Sequence, residues 1–193
     1  MPIVGSFAGA SARAYGLGAG LAIPTGFNSI STLTVGGTAQ STLEFTSIPQ
    51  TYKHLQLRVF ARGSSIDAFR IQFNGDTATN YSFHYLFGAR GGSSGSSNGT
   101  TQSYGIAMWS MGMPNAASTF GFGIYDILDY KDTNKYKTVR GFDGWDANGS
   151  GGIGTNSSNW RSTSAITSIK LFPSTGGVTF QQYSTFALYG IEA

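Results

Sequence analysis

The chain has 193 residues, with 28 Gly, 24 Ser, 20 Thr and 27 aromatic residues. Charged residues are only 11%, 12 basic against 9 acidic, for a net charge of +3. High aromatic content excludes intrinsic disorder, and scarce Ala, Glu, Lys and Leu exclude helical bundles and coiled coils. The absence of Cys excludes disulfide scaffolds and thiol chemistry.

Residues 1–27 are rich in Gly and Ala and carry one charge, Arg13. They show neither helical nor strand periodicity. The expectation is an extended N-terminal arm, separate from a β domain over residues 28–193. The arm would dock on a neighbouring subunit through Ile3, Val4, Phe7, Arg13, Tyr15 and Leu17, with Leu21 as a further apolar anchor. Small residues between anchors let a backbone lie close to another surface.

From Asn28 the apolar period becomes two. Strands are expected over 41–47, 53–61, 68–74 and 81–87. Leu55, Leu57, Val59 and Ala61 alternate with His54, Gln56 and Arg58, and Phe69, Ile71 and Phe73 with Arg70 and Gln72. Such alternation marks antiparallel strands with one buried and one wetter face. Residues 89–103, ARGGSSGSSNGTTQS, read as a long Gly/Ser loop.

Strands resume at 104–110 and 119–128. In the latter, Gly121, Gly123 and Tyr125 alternate with Phe120, Phe122 and Ile124. Glycine on one face of a strand indicates close packing over the backbone. A strand over 136–145 and a second flexible loop over 147–159 follow, then strands over 163–172, 177–182 and 184–191. Nine or ten short strands separated by turns predict an all-β, antiparallel β-sandwich, jelly-roll-like in architecture.

Signals for chemistry are weak. There is no G-x-S-x-G elbow, and His54 and His84 sit at outward strand positions without metal-ligand spacing. Asp126, Asp129 and Asp132 lie among Lys131, Lys135 and Lys137, where solvated ion pairs around a turn are the plain reading. The stretch from Asp146 to Ser150 only faintly echoes a calcium loop. Glycoside hydrolysis needs two acids across a cleft; Asp143 and Asp146 are the candidates if the chain is an enzyme. Trp145 and Trp160 flank the second loop and Trp109 precedes Met111–Pro114. Core packing is the default for each Trp, and Trp145, Asp146 and Trp160 form the candidate ligand contact. No catalytic residue, metal ligand or cofactor is assigned. The bases are scattered, so nucleic-acid binding is not expected. No apolar run is long enough to expect membrane insertion through a helix.

Three strings carry a family likeness: TSIPQTYKHLQLR at 46–58, RIQFNGD at 70–76 with NYS at 80–82, and STFALYGI at 184–191. With the leader GASARAYG at 9–16, they resemble modules of virion structural proteins from tailed bacteriophages, especially cyanophages. The resemblance implies a non-enzymatic sandwich in a multimeric particle, assembled in the host cytoplasm and located in the virion. It further implies partners among copies of itself, a homotrimer first, and other virion proteins. The leading expectation is a tail-fibre or tail-tip subunit for host attachment, possible contact with a host-surface glycan included. A capsid decoration or head-fibre protein is the alternative, and a carbohydrate-active enzyme or free-standing lectin the remaining ones.

Overall fold

Alternation at residues 54–61 sets the pattern for the whole molecule: Leu55, Leu57, Val59 and Ala61 are buried, while Arg58 and Phe60 face outward. The computed structural model describes residues 26–192, and for Arg90 and residues 107–113 the backbone alone. The arm and its anchors Ile3, Val4, Phe7, Arg13, Tyr15, Leu17 and Leu21 lie outside the described residues, as does the side chain of Trp109.

Among the described residues the strands are β1 (Asn28–Thr34), β2 (Leu43–Phe45), β3 (His54–Ala61), β4 (Asp67–Phe73), β5 (Tyr81–Ala89) and β6 (Ser93–Gln102). They continue with β7 (Gly105–Met113), β8 (Gly121–Leu128), β9 (Lys137–Asp146), β10 (Gly151–Trp160), β11 (Ile169–Pro173) and β12 (Thr185–Ile191). One sheet runs β1-β12-β3-β8-β9-β10-β5-β6 and the other β2-β11-β4-β7. Every pairing is antiparallel, and the two sheets pack as a β-sandwich.

The core lies between the sheets where β3, β8 and β12 face β4 and β11. Leu55, Leu57, Ile127, Phe186 and Leu188 meet Phe69, Ile71, Ile169 and Leu171 there, all fully buried. The Phe69 ring makes edge-on contacts with Tyr125, Phe180 and Phe186 at centroid distances of 5.9 to 6.0 Å. Such aromatic pairs add about 0.5–1.5 kcal/mol each beyond the area they bury. A smaller cluster of Phe83, Tyr85 and Ile106 sits farther along the large sheet.

Glycines are decisive where Tyr125 packs. A Cβ on Gly123 would lie 2.5 Å from the Tyr125 hydroxyl oxygen, and one on Gly141, beside Tyr125 in the ladder, would overlap the same ring. The glycine face expected at 119–128 is therefore the inner face, and Tyr125 lies over it.

Five sequence expectations are corrected. Residues 89–103 are not a loop: a tight turn at Arg90–Gly92 leads into β6, which pairs along β5 from Ala89–Ser93 to Tyr81–Gln102. Gly95 and Gly99 admit the Phe87 and Phe83 rings against the β6 backbone, so ladder bonds and ring packing override the weak propensity of SSGSSNGTTQ. Residues 147–159 are likewise mostly strand, and only 147–150 form the connection between β9 and β10. Strand β10 is hydrogen-bonded on both sides, by β9 and β5, which supplies every backbone partner its Gly- and Ser-rich sequence needs.

Toward the C-terminus, only residues 169–172 of the expected 163–172 strand are in the ladder, which runs on to Pro173. The run 177–182 is not a strand but a connection fixed by Phe180, whose backbone bridges Gln40 and Gly63. Finally, Gln56 and Gln72 keep the outward parity expected of them but are buried rather than wetted. Gln56 Nε2 donates to Asp126 at 2.8 Å and Gln72 Nε2 to the Ser103 carbonyl at 2.8 Å, which satisfies both amides.

Candidate functional site

Ladder pairings bring the outward side chains of five successive strands into one field on the large sheet. One row reads Phe60, Phe122, Gly144, Ile153 and Gly88 across β3, β8, β9, β10 and β5. The next reads Arg58, Ile124, Phe142, Thr155 and Leu86 over the same strands. Phe60, Phe122, Ile124, Phe142, Ile153 and Leu86 are each between 39% and 59% exposed, so this is an apolar face open to water. Phe120 stacks on Phe60 at 4.9 Å and Phe122 tilts against Phe142 at 5.7 Å, so the rings stand in two contacting pairs on this face. An exposed apolar patch of this kind is a candidate interaction surface.

The third row is polar. Gln56, Asp126, Arg140, Ser157, His84 and Asn98 follow one another across β3, β8, β9, β10, β5 and β6. Arg140 Nε reaches Asp126 at 3.0 Å, and Gln56 joins Asp126 to Arg58 through bonds of 2.8 Å. This row borders the apolar field along one side. His84, Arg140, Asn98 and Ser157 line a depression of about 640 Å³ there.

At the other side, a depression of about 660 Å³ is lined by Phe120, Phe122, Ile153, Trp145, Asp146 and the turn after β9. Two of the three residues expected at a ligand contact, Trp145 and Asp146, thus lie at the rim of the apolar field. Asp146 is exposed, and its carboxylate accepts the Asn148 N–H at 2.9 Å, shaping the turn. Trp145 is buried, on the inner parity of β9.

Trp160 is not part of this site. The β9–β10 ladder pairs Asp146 with Gly151 at one end and Lys137 with Trp160 at the other, which places the two tryptophans at opposite ends of the hairpin. Trp160 packs into the core against Phe73 and Tyr81, and its indole N–H donates to Asp76 at 2.7 Å. Burial alone raises the Asp76 carboxyl, but hydrogen bonds from Asn80, Trp160 and the Ala78 amide outweigh it and hold the group below its usual value.

The other sequence candidates separate in space. Asp143 is buried on the inner face of β9, held by Asn156 Nδ2 at 3.1 Å, whereas Asp146 is exposed at the strand's end. The two acids do not face each other across a cleft. Burial first, and Asp143 second, raise the nearby Tyr125 phenol well above its usual pKa. His54 and His84 are kept apart by the three strands β8, β9 and β10. His54 Nδ1 accepts the Asp129 amide at 2.9 Å.

Around 129–137 the expected pairing of Asp with Lys holds in part. Asp129 receives Lys135 at 2.8 Å and Lys53 at 3.3 Å, and the hydrogen bond from Lys135 is the largest influence lowering its carboxyl. Lys131 instead donates to the carbonyls of Gln50 and Thr51. Lys137 is fully buried and donates to the carbonyls of Asp132, Lys135 and Thr163, with burial pulling its pKa down. Among the described residues, no three His, Asp or Glu side chains gather as a metal site. No described helix is long and apolar enough to cross a membrane.

No family model, curated protein or solved structure matches the chain. The geometry of the sheet's outer face is therefore the main guide to function. Sequence reasoning missed that face, although a signal was present: in 119–128 both parities are apolar, Phe122 and Ile124 on one and Tyr125 and Ile127 on the other. Only one parity can face the core.

Proposed function

We propose that the chain is a structural subunit of a tailed-bacteriophage virion, a tail-fibre or tail-tip protein that assembles with copies of itself, a homotrimer first. It joins other virion proteins through its N-terminal segment. The observation that carries the reading is the outer face of the large sheet, where six large apolar side chains stand exposed around Phe122 and Phe142. A monomer gains nothing from such a face, whereas a subunit surrounded by copies of itself buries it.

Two further features support the reading. The strings that resemble phage virion modules fall on framework, in β3, β4 and β12 and the segments beside them. When β1, β12 and the β9–β10 hairpin are set aside, the remaining strands run β3-β8-β5-β6 over β2-β11-β4-β7. We read that reduced order as jelly-roll-like, an architecture common in viral capsid and lectin domains.

A host-surface glycan is the proposed external ligand, met at Asp146 and the 147–150 turn. A jelly-roll-like reading also favours a second role, a capsid decoration, and copy number per particle separates the two, few for a fibre and scores or more for a decoration. The experiment on the main reading deletes residues 1–25 and asks whether the subunit still enters particles. Loss of incorporation with the β domain still folded is expected; normal incorporation overturns the reading.

A further inference from the structure

The described chain begins at a telling place. Phe27 lies with its ring 5.0 Å from the Arg58 guanidinium, and Arg58 stands beside Ile124 in the apolar field of the large sheet. Residues 1–25 therefore lead into the molecule at the border of the exposed face. From the sequence, that segment offers Ile3, Val4, Phe7, Tyr15, Leu17 and Leu21 separated by Gly, Ala and Ser, with a single charge. We infer that the outer face of the large sheet, around Phe122, Phe142, Ile153 and Leu86, is the dock for residues 1–25 of a neighbouring copy.

Reach and chemistry both fit. Four strand spacings separate β3 from β5, about 19 Å at the usual 4.8 Å each. Twenty-five residues span at most about 80–90 Å when extended, enough to leave one subunit and cross the field of the next. The segment's apolar anchors match a surface that is apolar and uncharged in its middle and polar at the Asp126–Arg140 row. Gly and Ala between anchors let a backbone approach rings that already stand out of the sheet.

Choosing a neighbour's segment rests on reading the chain as an assembly subunit. Seated on its own sheet, the segment would cover the face and leave nothing to join copies. Seated on the next copy, the same contact links subunits head to tail, and a closed ring of such links is a cyclic oligomer.

The chain contains no Cys, so single introduced thiols report cleanly. Copies carrying Phe7→Cys are mixed with copies carrying Phe142→Cys and treated with a short bismaleimide. The expected result is a covalent pair of the two chains, formed in at least several-fold higher yield than when Tyr183→Cys, exposed but outside the field, replaces Phe142→Cys. Tyr15→Cys serves as a second arm position. Equal yields at the two sites from both arm positions overturn the inference. So does a chain carrying both thiols that closes only within itself. A virion that rejects the subunit lacking residues 1–25 while these cross-links fail leaves the virion reading standing and removes the sheet face as the dock.

Discussion

The two faces of strand β8 differ in a way that inverts the usual expectation. Inside, Gly121, Gly123, Tyr125 and Ile127 point to the core, while outside stand Phe122, Ile124, Asp126 and Leu128. On the inner face two glycines are buried beside Tyr125 and Ile127, while two large apolar side chains, Phe122 and Ile124, are exposed. The inner face tolerates glycine because Tyr125 lies flat over Gly123 and Gly141, so one ring fills the space that several side chains would otherwise take. The outer face has no such economy, since Phe122 and Ile124 project from a sheet that nothing described covers. One strand thus carries a packed face on one side and an uncovered apolar one on the other.

That contrast is most severely tested by Tyr125→Ala. Removing a fully buried aromatic that covers two glycines should cost about 3–5 kcal/mol, read as a fall in denaturation midpoint. A loss below about 1 kcal/mol would mean that Tyr125 does not organise the inner face. Next in size is Gly141→Ala, whose methyl group would overlap the Tyr125 ring; about 1–3 kcal/mol of destabilisation is expected. Phe142→Ser on the outer face should shift folding stability by no more than about 0.5 kcal/mol, because exposed positions rarely contribute more. Self-association, measured by sedimentation, should nevertheless fall sharply. Equal losses from Gly141→Ala and Phe142→Ser would erase the distinction between the faces.

The smallest effect is pH-dependent and concerns the strand ends near Trp160. Asp76 has a folded pKa below 3.8, its unfolded reference, so its stabilising contribution is present above that value and is lost as pH falls through the folded pKa. Asp76→Asn should therefore be less stable than the parent at neutral pH. The gap should narrow in acid, as followed by thermal melts between pH 7 and pH 2. An unchanged gap across that range would show that the carboxylate's charge is not what Asn80 and Trp160 hold.

Much of the inner face was legible from alternation alone. Leu55, Leu57, Val59, Phe69, Ile71 and Phe73 are buried as their period of two predicts, because a strand has only two faces and the apolar one goes inward. Gln56 and Gln72 were not legible as buried, because their satisfaction depends on Asp126 and Ser103, which are distant in sequence. Trp145 and Asp146 were found together at the border of the apolar field, but Trp160 was not, because a ten-pair ladder replaced what reads as a flexible loop.

The sequence by itself determined an all-β chain, its alternating core positions and a glycine face at 119–128 over which something packs closely, since these follow from local period and side-chain size. Only the tertiary structure decided that the serine- and glycine-rich stretches 93–102 and 151–160 are strands. Their low propensity is overcome by hydrogen-bond partners and rings supplied by β5 and β9. It also decided which parity of β8 is left outside, because that depends on where the second sheet lies. From that placement comes the apolar face on which the assembly proposal rests.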